Sequence, residues 1–148
     1  MQKKPQIDIY KSDLSTDMMI AFADAGIHAG FPSPAQDYIE NGIDLNRELV
    51  KHPSSTFYGR VVGDSMKDAG IDAGDILVID KSLEPRDGDM AVCFVDGEFA
   101  LKYLRFKGKR LFICAANENY PDIEIMPETQ FVVWGIVTYT IKKRNKHI

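Results

Sequence analysis

Met90-Ala91-Val92-Cys93-Phe94-Val95-Asp96-Gly97-Glu98-Phe99-Ala100-Leu101-Lys102-Tyr103-Leu104 is the stretch that decides the fold. Two short apolar runs flank Asp96-Gly97, a dipeptide suited to the positive-φ positions of a two-residue hairpin turn. The runs therefore predict strands over Met90–Val95 and Glu98–Arg105. Further strands are predicted on either side, at Thr56–Val62, Ile76–Asp80, Arg110–Ala115, Ile123–Met126 and Phe131–Ile141. Turn signals separate them at Ala73-Gly74-Asp75, Pro85-Arg86-Asp87-Gly88-Asp89 and Lys107-Gly108-Lys109. Many short strands with close turns predict a mainly β fold, a compact antiparallel sheet that is partly rolled.

The first third reads differently. Residues 1–33 show no strand pattern and read as an N-terminal arm, with residues 34–148 as the body. Asp17–Ala25 predicts a short helix, capped by Ser15 or Thr16 and ended by Gly26. Ser33, Pro34 and Gln36 then form a capping-box signature for a second helical segment. Tyr38, Ile39, Leu45, Leu49 and Val50 supply its apolar face. Asn41-Gly42 predicts a break, and His52-Pro53 closes the segment. Met18, Met19, Ile20, Phe22, Ile27 and Phe31 make the arm too apolar for a free tail, so it is expected to pack on the body or on another subunit.

With 148 residues, 45% of them apolar, the chain can bury a core without disulfides or metal. Cys93 and Cys114 accordingly read as buried free thiols of a cytoplasmic protein, with a disulfide between them as the lesser alternative. The longest apolar run, Phe131–Ile136, is far shorter than a membrane span, and no apolar segment of a secretory signal follows the charged N-terminus. A net charge of −4 disfavours direct DNA binding. Lys142, Lys143, Arg144 and Lys146 form a basic tail, read as a solvated terminus, with a weak phosphate or partner contact as the alternative.

The candidates for chemistry are few. His28, His52 and His147 have no metal-ligand spacing with each other or with a cysteine, and none is well placed for a Ser-His-Asp triad. Phosphate-binding glycine motifs are missing, so no cofactor is implied. Ser65, in Gly63-Asp64-Ser65-Met66, follows a predicted strand, where its hydroxyl could stand beside backbone N–H groups acting as an oxyanion hole. A turn serine is the plain alternative. Lys102 shares a strand face with Ala100 and Leu104. It either reaches solvent, as an edge-strand lysine does, or is buried with a lowered pKa, which would make it a general base for a serine. Ala29-Gly30 is a small pair in an irregular stretch. The 35 residues from Gly30 to Ser65 give ample contour, at roughly 3.3 Å each, to fold back onto a nucleophile.

Gly63-Asp64-Ser65-Met66, Ile71-Asp72-Ala73-Gly74-Asp75 and Val95-Asp96-Gly97-Glu98-Phe99 leading into Lys102 resemble the LexA/UmuD family of self-cleaving Ser–Lys proteins. Ala29-Gly30-Phe31-Pro32-Ser33-Pro34-Ala35, Asp37-Tyr38 and Ile43-Asp44-Leu45-Asn46 resemble its UmuD branch, and the likeness runs over roughly residues 27–141. It implies a body like the C-terminal domain of LexA. Ser65 would be the nucleophile and Lys102 the base, with the Asp64 and Ser65 N–H groups as oxyanion donors. The cut would fall at Ala29-Gly30. The implied partners are a second copy in a homodimer, the recombinase filament on single-stranded DNA, and a Y-family polymerase catalytic subunit. Alanine stands before the scissile glycine, where the best-known UmuD-type protein has cysteine and LexA-type repressors have alanine. The 29 residues before Gly30 are too few for a repressor's winged-helix domain. An inert interaction module and a repressor-like regulatory fragment are the competing expectations, and a membrane-bound signal-peptidase type is disfavoured.

Overall fold

A computed structural model describes residues 7–15, 19–23, 39–63, 66–116 and 120–145. Eight strands form one antiparallel sheet: β1 (Ile7–Lys11), β4 (Thr56–Val61), β5 (Ile76–Asp80), β6 (Met90–Val95), β7 (Glu98–Lys107), β8 (Arg110–Cys114), β9 (Ile123–Glu124) and β10 (Phe131–Ile141). Their spatial order is β1-β4-β5-β10-β6-β7-β8-β9. A separate two-stranded ladder pairs β2 (Met19–Ala23) with β3 (Ile39–Asp44). One short helix, α1 (Leu45–Leu49), and two 3₁₀ turns, at Pro53–Ser55 and Lys67–Ala69, complete the described elements. None of the described helices is long and apolar enough to cross a membrane.

The mainly β expectation and the body strands match within a few residues. The Asp96-Gly97 turn has φ of 46° and 88°, both positive, and pairs Val95 with Glu98.

Three expectations for the first third are corrected. Ile7–Lys11 is a strand: Ile7 and Ile9 pack into the core while Asp8 and Tyr10 are exposed. That period-2 alternation is the ordinary signature of a half-buried strand. Met19–Ala23, inside the expected helix Asp17–Ala25, is extended and antiparallel to Ile39–Asp44. A short apolar run cannot by itself distinguish helix from strand, and here the pairing partner decides. Residues 16–18 and 24–38, including the Ser33-Pro34-Gln36 signature, lie outside the described residues. The helical segment expected to start at Ser33 and break at Asn41-Gly42 is instead extended over Ile39–Asp44, because that run pairs with Met19–Ala23. A helical turn forms only after it, at Leu45–Leu49, with the Asp44 carboxylate accepting from the Asn46 N–H at 3.0 Å.

The core occupies both faces of the sheet. Val92 joins one cluster, with Ile7, Val61, Met66, Leu77, Ile79 and Leu101. Its neighbours Ala91 and Cys93 join another, with Leu104, Ile113 and Ile136. The sheet curls enough for β1 to approach β7, five places away in strand order.

Two β-bulges interrupt β10, at Trp134 and at Thr138. The first sets the Trp134 ring against Phe57 and Phe99, with centroids 5.1 and 5.5 Å away. Beside it, a Cβ built on Gly135 would lie 2.5 Å from Ile79 Cγ2. Gly135→Ala is expected to cost about 1–3 kcal/mol by overpacking, read as a lower urea midpoint with an unchanged m-value.

Candidate active site

Lys102 lies on β7 opposite Ala91 of β6, on the face that carries Cys93 and Leu104. β7 is flanked by β6 and, from Tyr103 onward, by β8, and Lys102 is half-buried where the second flank begins, so it is not the solvent-reaching lysine of the alternative. Pairing with β8 begins only at Tyr103, opposite Cys114, so the sheet opens beside Lys102 as β8 ends. The side chain is half-buried, and loss of hydration holds its pKa below the usual lysine range. The neighbouring thiols of Cys93 and Cys114 oppose this weakly. Among the described residues no carboxylate contributes to this balance. The ammonium lies 5.8 Å from the centroid of the Tyr120 ring. Cys93 and Cys114 are both free and buried, as expected, and burial pushes the Cys93 thiol up to about 12.

Asp64, Ser65, Ala29 and Gly30 lie outside the described residues. The structure does define the chain on both sides of the Asp64-Ser65 pair. Gly63 has φ of 105°, a conformation that favours glycine. Met66 is 2% exposed, in the cluster that contains Leu101, the residue before Lys102. The Met66 carbonyl accepts from the Ala69 and Ile71 N–H groups. Its sulfur accepts from the Ala116 N–H at 3.3 Å, and the Ala116 carbonyl accepts from the Asp68 N–H at 2.8 Å. Ala116 lies two residues beyond Cys114, so the segment after Ser65 is bonded to the segment that leaves β8 beside Lys102.

A clasp that the sequence reading missed closes the base of this loop. Val61 and Asp75 are joined by a backbone hydrogen bond of 2.9 Å, and the Gly74 N–H donates to the Val61 carbonyl. The carboxylate of Asp75, 5% exposed, accepts from the Asp72 N–H and from Lys142 Nζ at 2.6 Å. Lys142 also bonds Asp72 at 2.6 Å. Lys142 is therefore an anchored end of β10 rather than part of a solvated tail, and hydrogen bonds to Asp72 and then Asp75 raise its pKa. Only the strand register discloses this pairing.

His52 bonds Asp80 through Nδ1 at 2.5 Å. Burial raises the Asp80 pKa, but hydrogen bonds from Ser82 and His52, with the His52 charge, bring it below the usual range. Asp80, Ile136, Ala91 and Lys102 form one cross-strand row. Three strand spacings, about 14 Å, separate Asp80 from Lys102, too far for His52 to serve as its relay. His28 and His147 lie outside the described residues. Among the described residues, no cluster of three or more metal-ligating side chains forms.

A family model described as Peptidase S24-like matches residues 22–138, which include both segments discussed above. The chain belongs to the Peptidase S24-like family. Among its S24-like relatives, Protein SamA of Salmonella typhimurium is 43% identical over 115 residues, covering 78% of this chain and 79% of SamA. Protein MucA of Salmonella typhimurium is 37% identical over 138 residues, or 92% and 94% of the two chains. The LexA repressor of Shewanella piezotolerans is 38% identical over 99 residues, 67% of this chain but 48% of the repressor.

The burial of Lys102 has a thermodynamic signature. Its folded-state pKa lies below the unfolded value, so the unfolded chain binds the extra proton between the two, and stability rises with pH across that interval. Lys102→Met is expected to raise Tm by up to a few degrees at neutral pH. The gain should shrink as pH approaches the unfolded value near 10.5, as followed by thermal melts across pH.

Proposed function

We propose that the chain is a self-cleaving Ser–Lys peptidase that serves as an SOS-response accessory subunit of an error-prone translesion DNA polymerase. The observation that carries this reading is Lys102: a half-buried amine with a lowered pKa, inside the S24-like match, on a strand beside the anchored segment that follows Ser65. SamA and MucA, matched over most of their length, support it.

In this reading residues 1–33 are the substrate arm and residues 34–148 the catalytic body. Neutral Lys102 takes the proton from the Ser65 hydroxyl as Oγ attacks the Ala29 carbonyl carbon. The Asp64 and Ser65 N–H groups hold the oxyanion. The C–N bond to Gly30 then breaks, and Lys102 returns the proton to the departing amine. Water, with Lys102 again as base, hydrolyses the Ala29 ester and frees Ser65. No cofactor takes part. The protein works in the cytoplasm as a homodimer. The recombinase filament on single-stranded DNA stimulates the cut, and the shortened product joins a Y-family polymerase catalytic subunit. Contact with DNA runs through these partners.

Incubating the purified chain between pH 7 and pH 10.5 and weighing the products tests the mechanism. Cleavage at Ala29-Gly30 should accelerate about tenfold per pH unit until the amine is fully neutral. Ser65→Ala or Lys102→Ala should slow it by at least about 10³-fold. Cutting that persists in Ser65→Ala would sink the assignment.

A further inference from the structure

The strand β1 lies upstream of the proposed scissile bond, yet it is an integral edge of the sheet. Ile7 to Lys11 pair residue by residue with Val61 to Phe57 of β4. Ile7 is 2% exposed and packs in the cluster of Val61, Leu77 and Ile79. The fit is close at Gly59, where a Cβ would lie 2.8 Å from Ile7 Cγ2. Just past the strand, the Ser12 hydroxyl donates to the Thr56 carbonyl. Asp8, Tyr10 and Lys11 are exposed, so Ile7 and the partly buried Ile9 carry the apolar contact.

Resting on the self-cleavage reading, we propose that the cut turns β1 into a displaceable strand and bares β4 as a docking edge. The occupant is an extended segment of a protein partner, carrying β-branched apolar side chains two residues apart and adding antiparallel to β4. While the chain is whole, β1 is tethered and holds the edge at high effective concentration. After the cut, β1 belongs to a separate fragment held only non-covalently, through the β1–β4 and β2–β3 ladders, so another strand can displace it.

The chemistry of the two edges supports this exchange. β1 turns outward an edge with Asp8 and Lys11, charged residues of the kind that keep exposed edges from pairing. The β4 edge beneath it reads Thr56-Phe57-Tyr58-Gly59-Arg60-Val61 and has a single charge. A bared β4 therefore presents unpaired backbone groups, and the Ile7 slot selects an Ile-x-Ile pattern. That is recognition by strand addition, with backbone bonds for affinity and alternate side chains for specificity.

The probe is a fluorescein-labelled heptapeptide with the sequence of residues 6–12, followed by fluorescence polarisation. Uncleaved wild-type chain should bind it at least about tenfold more weakly than uncleaved chains carrying Ile7→Asp, or the milder Ile9→Asp, in which β1 is unseated. A peptide with both isoleucines replaced by aspartate should bind none of them. Equal binding to wild type and variants, or no binding to either folded variant, overturns the proposal. Self-cleaved wild type should bind the peptide like the variants and lose the 1–29 fragment on size exclusion. A fragment that co-elutes and keeps the peptide out also overturns it. If the wild type never cleaves, the self-cleavage reading fails, while the uncleaved variants still decide whether β4 is a strand-docking edge.

Discussion

Leu77, Val78 and Ile79 are consecutive and all fully buried, so β5 must be covered on both of its faces. Among the described residues no helical layer is available for that purpose. The sheet provides the cover itself by curling, which brings its first strand toward its sixth. Space inside such a curl is short, and Gly59 and Gly135 mark where strands press hardest on Ile7 and Ile79. Everything that concerns the site follows from this closure. It carries Met66 into the cluster of Leu101 and so sets the chain that follows Ser65 near the open side of β7.

The strands of the body were legible because their turns were. Asp96-Gly97 needs two positive φ angles and is flanked by runs that alternate between two buried faces. The arm was less legible. Ile7-Asp8-Ile9-Tyr10 does alternate, but four residues weigh little beside long unpatterned neighbours. Met19–Ala23 is extended only because Ile39–Asp44 lies beside it, a fact of tertiary pairing that no local pattern contains. At the site, the burial of Lys102 was open in the sequence, since the same alternation fits a lysine that reaches solvent. What decided it was the packing where β8 joins β7, which leaves Lys102 half-buried.

Lys102 and Asp80 show two ways of treating a buried charge on one cross-strand row. Asp80 is surrounded by donors from Ser82 and His52 and stays ionised below its usual range. Lys102 has two weakly acidic thiols nearby and loses hydration without an ion-pair partner among the described residues, so its neutral form gains. The first is what a stable fold does with a carboxylate. The second sacrifices stability and is the arrangement a base catalyst needs.

The bulge at Thr138 has a consequence at the far end of its strand. Before it, β10 meets β5 in the register Val137 to Ile79; after it, the register is Tyr139 to Val78 and Ile141 to Ile76. That single inserted residue brings Lys142, and not Ile141, opposite the buried carboxylate of Asp75. The bulge thus sets which side chain closes the loop. With it in place, a cation meets an anion at the foot of the loop that contains Ser65. Were the same residues paired without the bulge, Ile141 would fall opposite Asp75 and a hydrocarbon would face a buried negative charge, far along the chain from Thr138.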